Sequence, residues 1–235
     1  MSLARQEARR FLYPLHFLNL VFFLGVLVDM SALSGLQTAW QAPDWLWPWA
    51  LAGFLCSLAL TFFVVFFFRD PIRILPDDPH LIISAADGVV VSVEEFEEPD
   101  FHLGPMRRIA VFLSVLDVHV NRCPVDATVK STVYRAGRFL DARHLDASAM
   151  NECRAWWLES PRGPVVVRQI AGLIARRIVA WAQEGSVLRR GEHLGMIRFG
   201  SRTEVFVPIE CVVLVKPGDR VAGARTPIAR WPDGV

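Results

Sequence analysis

The chain has 235 residues, of which 53% are hydrophobic, and its mean hydropathy is +0.33. That is too apolar for an ordinary soluble domain and directs attention to membrane segments. A net charge of +1 shows none of the basic surplus that nucleic acid attracts, so no nucleic-acid partner is expected.

Two apolar stretches occupy the first third. FLYPLHFLNLVFFLGVLV, about residues 11–28, contains His16 and Asn19, which are expected to pack against the second stretch. LWPWALAGFLCSLALTFFVVFFF, about 46–68, carries no charge and has the length of a bilayer span. Arg5, Arg9 and Arg10 precede the first, Arg69 and Arg73 follow the second, and residues 29–44 contain no Lys or Arg. The positive-inside rule then predicts a two-helix transmembrane hairpin with both ends cytoplasmic. Residues 1–69 are expected to be the anchor and residues 70–235 a cytoplasmic domain.

Beyond Asp70 the prolines Pro71, Pro76 and Pro79 predict a stiff linker. Short runs rich in β-branched residues follow: LIISA, GVVVSVEEF, RRIAVFLSVLDVHV, ATVKSTVYRAG, GPVVVRQIA, HLGMIRFG, TEVFVP and CVVLVKPGDRV. Helical patterns are expected only over 147–157 and 172–182. The fold class is therefore mainly β, as packed sheets or a partly open barrel, with few helices. Four scattered cysteines form no metal-ligand or disulfide spacing, so reduced thiols and no metal are expected.

Three stretches carry residues able to do chemistry. Gly200-Ser201 interrupts two strand-like runs, and the plain reading is a bulge with a surface serine. In DVHVNRCP, alternation puts Asp117, His119 and Asn121 on one strand face, either a solvated face or the wall of a site. SAADG, residues 84–88, reads as a strand entering a turn.

Taken together, Ala86-Asp87-Gly88, Asp117 to Pro124, Gln169 to Ile178 and Gly195 to Ser201, with the Asn151-Glu152 pair, resemble the phosphatidylserine decarboxylase family in its short bacterial and archaeal branch. The resemblance covers about Asp70 to Pro217. It implies a pyruvoyl enzyme that cuts itself between Gly200 and Ser201, giving a β chain (1–200) and an α chain (201–235). Ser201 would become the pyruvoyl group, which forms a Schiff base with the substrate amine. Phosphatidylserine, an anionic phospholipid, would yield phosphatidylethanolamine and CO2, without metal or pyridoxal phosphate. His119 is implied as the proton-transfer group, for self-cleavage, decarboxylation or both, with Asp87 orienting it. Longer members carry a second histidine in DxHRxHxP, where this chain has Arg122. Arg122, Arg176 and Arg177 are implied substrate contacts. Arg107, Arg108 and Arg135 are further candidates, whose plain reading is solvated surface charge. The implied location is the inner membrane of a bacterial-type cell, and a homo-oligomer stays open. Two alternatives stand beside this reading. One is decarboxylation of an archaetidylserine-type lipid. The other is a non-catalytic tethered β module, since VKPGDRVAGARTPIA is similar to the turns of lipoyl carriers and membrane-fusion adaptors.

Overall fold

The computed structural model describes residues 3–33, 47–138, 140, 147–172, 177–198 and 201–232. They fall into two compact units, Met1–Asp70 and Pro71–Val235.

The first unit holds α1 (Leu3–Leu33) and α2 (Trp47–Phe67). The helices run antiparallel: Phe11 meets Phe68, Asn19 meets Thr61 and Phe23 meets Phe54. Asn19 Nδ2 donates to Thr61 Oγ1 at 2.9 Å, giving a polar group in an apolar helix its partner. His16, expected beside it in that interface, is exposed instead. Gly53 makes room for the Phe22 ring of α1, from which a Cβ there would lie 2.5 Å. Among the described residues, Pro48–Phe67 is the one stretch long and apolar enough to cross a bilayer. The described part of α1 adds no second such stretch. Its first turns carry Arg5, Glu7, Arg9 and Arg10, and Pro14 removes one of its backbone hydrogen bonds.

The second unit is mainly β. Its elements are β1 (Leu81–Ile83), β2 (Gly88–Glu97), β3 (Pro105–Leu113), β4 (Val120–Arg122), β5 (Ala127–Arg135), α3 (Ala147–Met150), β6 (Cys153–Ser160) and β7 (Gly163–Ala171). Then follow β8 (Ile178–Ala180), β9 (Val187–Leu188), β10 (His193–Ile197), β11 (Ser201–Val207), β12 (Val212–Val213), β13 (Arg220–Val221) and β14 (Pro227–Arg230). Eight strands form an open antiparallel sheet in the order β13-β2-β3-β11-β7-β6-β5-β9. Two three-strand sheets, β4-β10-β8 and β1-β14-β12, accompany it. The main core includes Val205 and Val207 of β11, with Ile109, Val111, Trp156, Val167, Leu194 and Ile197. Phe206 faces the other way, onto Met106, Ala155 and Val166. Thus β11 is paired on both edges and buried on both faces.

Three local expectations are corrected. The helix over 147–157 is confined to α3, because residues 153–160 pair with β5 on one side and β7 on the other. The helix over 172–182 gives way at Ile178–Ala180, whose β-branched residues pair with β10; residues 173–176 lie outside the described set. The strand expected through DVHV begins only at Val120, since Asp117 Oδ2 accepts from both Ser114 N and Ser114 Oγ and closes a turn.

Candidate active site

Ser201 opens β11 between Leu113 of β3 and Ala171 of β7. It is fully buried, and its Oγ has no hydrogen-bond partner among the described residues. A buried hydroxyl without a partner costs about 1–3 kcal/mol. Gly200, the expected neighbour in the cut, lies outside the described residues.

Thr203 shares Ser201's side of the strand, and Gln169 of β7 stands directly opposite Thr203. The β4-β10 pair packs here, and Asn121 of β4 makes the contact. Asn121 Oδ1 accepts from Thr203 Oγ1 at 3.2 Å and from Gln169 Nε2. In register with Asn121 sits Gly195, whose missing side chain makes the packing feasible. A Cβ there would meet Val179 O at 2.7 Å and the Gln169 carboxamide at 3.2 and 3.3 Å. Asn121, Gln169 and Thr203 are all buried; Asn121 Nδ2 and Gln169 Oε1 have no hydrogen-bond partner among the described residues.

His119, two residues before Asn121, is buried too, and its carbonyl accepts from Ile197 N. Its Nδ1 lies 2.9 Å from Asp117 O. A carbonyl only accepts, so Nδ1 carries a proton. Asp87 is held elsewhere: its carboxylate takes two bonds from Arg73 Nη2, at 2.9 and 2.7 Å, and one from Gly223 N at 2.8 Å. Asp87 and Asp117 line one cleft of about 490 Å3 with Arg220, Arg225 and Thr226. Arg220 reaches Asp117 at 3.3 Å, whereas the Arg225 guanidinium has no ion-pair partner among the described residues.

The expected substrate arginines are dispersed. Arg122 spends Nη1 on Gly191 O and Nη2 on Pro71 O, beside a second cleft of about 400 Å3. Arg177 is exposed, and Arg176 lies outside the described residues. Arg107 pairs with Glu95 at the surface, and Arg135 donates to Ser148 O. Arg108 is no surface charge. It is buried, with Arg168 and Arg202, around the fully buried Glu204. Asp100 and Glu94 complete this cluster on the sheet face opposite Ser201. Burial pushes the Asp100 carboxyl up against the pull of Arg168, and burial draws Arg202 below its ordinary value.

Sequence reasoning gave no role to Arg73, Gln169, Arg225 or Glu204. Arg73 looked like a membrane-flanking charge, and its pairing with Asp87 follows no sequence period. Gln169 lay inside a recognised motif, but its partner Asn121 is 48 positions away.

Comparison with known proteins gives a consistent result. The phosphatidylserine decarboxylase family matches residues 60–229. A phosphatidylserine decarboxylase proenzyme of Carboxydothermus hydrogenoformans is 49% identical over 177 residues, covering 75% of this chain and 83% of its own length. The proenzyme of Symbiobacterium thermophilum is 47% identical over 185 residues, 78% of this chain and 85% of that one. That of Gluconacetobacter diazotrophicus is 45% identical over 204 residues, 85% and 88% of the two chains.

Proposed function

The chain belongs to the phosphatidylserine decarboxylase family, and from that membership we propose that it converts phosphatidylserine to phosphatidylethanolamine and CO2 after cutting itself before Ser201. It is an enzyme made as a proenzyme. The observation that carries the assignment of residue 201 is its hydroxyl, buried at the head of a doubly paired strand with no partner among the described residues. In an ordinary structural position such a group is selected against. Here it is the nucleophile for the cut.

Position 201 also fits the pyruvoyl group that the reading requires. Conversion turns the serine Cβ into a methyl and removes the unsatisfied Oγ. The neighbours across the sheet, Leu113 and Ala171, are buried and apolar. Once formed, the group supplies a carbonyl that takes up the electron pair left when CO2 departs. His119 is the proton-transfer residue, its ring fixed by Asp117 O. Asp87, locked by Arg73 and Gly223, is assigned to the cleft wall, where with Asp117 it attracts the headgroup ammonium. Arg225, a cation of that cleft without an ion-pair partner among the described residues, is assigned to the headgroup phosphate. Arg122 orders the chain between residues 71 and 191 through their carbonyls.

In the same reading α2 crosses the membrane, α1 is the second limb of the anchor, and residues 70–235 face the cytoplasm. Intact mass and denaturing electrophoresis test the central claim. Two chains are expected, the smaller beginning at position 201 with a carbonyl-bearing, blocked N-terminus. Active preparations that contain only the full-length chain with Ser201 intact would refute it.

A further inference from the structure

Three polar atoms around the proposed cut site lack partners among the described residues: Ser201 Oγ, Asn121 Nδ2 and Gln169 Oε1. All three residues are fully buried. Asn121 is nevertheless firmly held, because Thr203 Oγ1 and Gln169 Nε2 both donate to its Oδ1. Its geometry therefore leaves the Nδ2 hydrogens as the uncommitted end. Thr203 and Ser201 stand on one face of β11, two residues or about 7 Å apart. Gln169 lies across from Thr203 and diagonal to Ser201. The sheet thus sets a rigid donor on the same side of β11 as the nucleophile. It is costly to hold a donor unsatisfied inside a fold unless an acceptor arrives.

Resting on the reading that Ser201 cuts the chain, we propose that Asn121 Nδ2 donates to the oxyanion of the self-cleavage step, with Gln169 and Thr203 as the residues that position it. In that step Ser201 Oγ bonds to the carbonyl carbon on its N-terminal side and the peptide C–N bond breaks. The Oγ proton ends on the departing nitrogen, which becomes an amine. Between bond formation and bond breaking, the former carbonyl oxygen bears a negative charge. A fixed, buried amide donor stabilises that charge without any reorganisation, and loss of one such donor slows acyl transfer by about 100-fold or more.

The test separates this role from simple packing. Asn121→Leu, Gln169→Met and Thr203→Val combined replace the whole polar set by apolar side chains of similar shape, a change that folds tolerate. Cell-free translation with a labelled chase, read on denaturing gels, gives the rate at which full-length chain disappears. The triple variant should melt at or above the wild-type temperature and be cut at least about 100-fold more slowly. Wild-type cutting in this variant overturns the proposal. Should the triple variant not melt cooperatively, Asn121→Asp decides, since it keeps the Oδ1 acceptor and replaces the amide donor with a second acceptor oxygen. Cutting slowed at least tenfold supports the role, and cutting at the wild-type rate overturns it. If the wild-type chain itself is never cut, the reading of Ser201 fails rather than the role of Asn121.

Discussion

Glu204→Gln is the sharpest test of what holds the cut enzyme together. Glu204 is fully buried, three residues into the proposed α chain, with Arg202 at 3.0 Å and Arg108 and Arg168 at 3.5 Å. Ser148 Oγ adds a hydrogen bond of 2.7 Å. The three guanidiniums are balanced by Glu204, Asp100 and Glu94, so the cluster is neutral. The glutamine leaves one positive charge uncompensated among guanidiniums whose side chains are 2–7% exposed. Removing one partner of a buried pair costs about 3–5 kcal/mol. For a unit of this size that corresponds to a fall in Tm of roughly 10 °C. Thermal unfolding of the processed protein measures it, and size exclusion in mild urea reports whether the small chain separates earlier. Adding Arg202→Met should restore neutrality and recover more than half of the loss, as coupled neighbours do. A Tm within about 2 °C of wild type would show that the cluster is hydrated, and would refute the reasoning.

Ser201→Ala should yield a single chain of 26.5 kDa with no activity; any second band sinks the assignment. His119→Ala should lose turnover, measured on protein that has been processed beforehand, and retained turnover rejects its proton-transfer role. Arg225→Glu should raise KM for the lipid about tenfold or more and leave kcat within a factor of about two, the outcome for a charged contact made equally before and during reaction; an unchanged KM removes it from the headgroup site. Burial pushes the Cys123 thiol up to about 12 and the Cys211 thiol up to about 11. Both stay protonated until pH rises towards those values, so at pH 8 neither should be alkylated by iodoacetamide in the folded protein; rapid labelling of either would contradict its burial.

Much of the β architecture is legible because its strands are short runs rich in β-branched residues, as in β2 and β7. Where the reading failed, a distant partner decided. CRAWWLES has residues that suit a helix, yet two neighbouring strands claim its backbone. DVHV alternates like a strand, but a carboxylate captured by Ser114 turns it into a tight bend. The polar residues of that stretch suggested a solvated face or a site wall, and burial of His119 and Asn121 excludes the solvated face. The arginines were the hardest to read. Composition makes Arg108 look like lipid-facing charge, while its neutralising partners, Glu94 and Glu204, lie on other strands.

The embedding of β11 has a consequence for how the enzyme matures. A processing protease needs an exposed, extended segment, and this strand is closed off by neighbours on both edges and both faces. With the cut we propose before Ser201, activation is a first-order event within each molecule, indifferent to protein concentration. Its machinery exists only after β4, β7, β10 and β11 have come together. A chain that misfolds cannot arm itself, so correct assembly acts as the licence for activity.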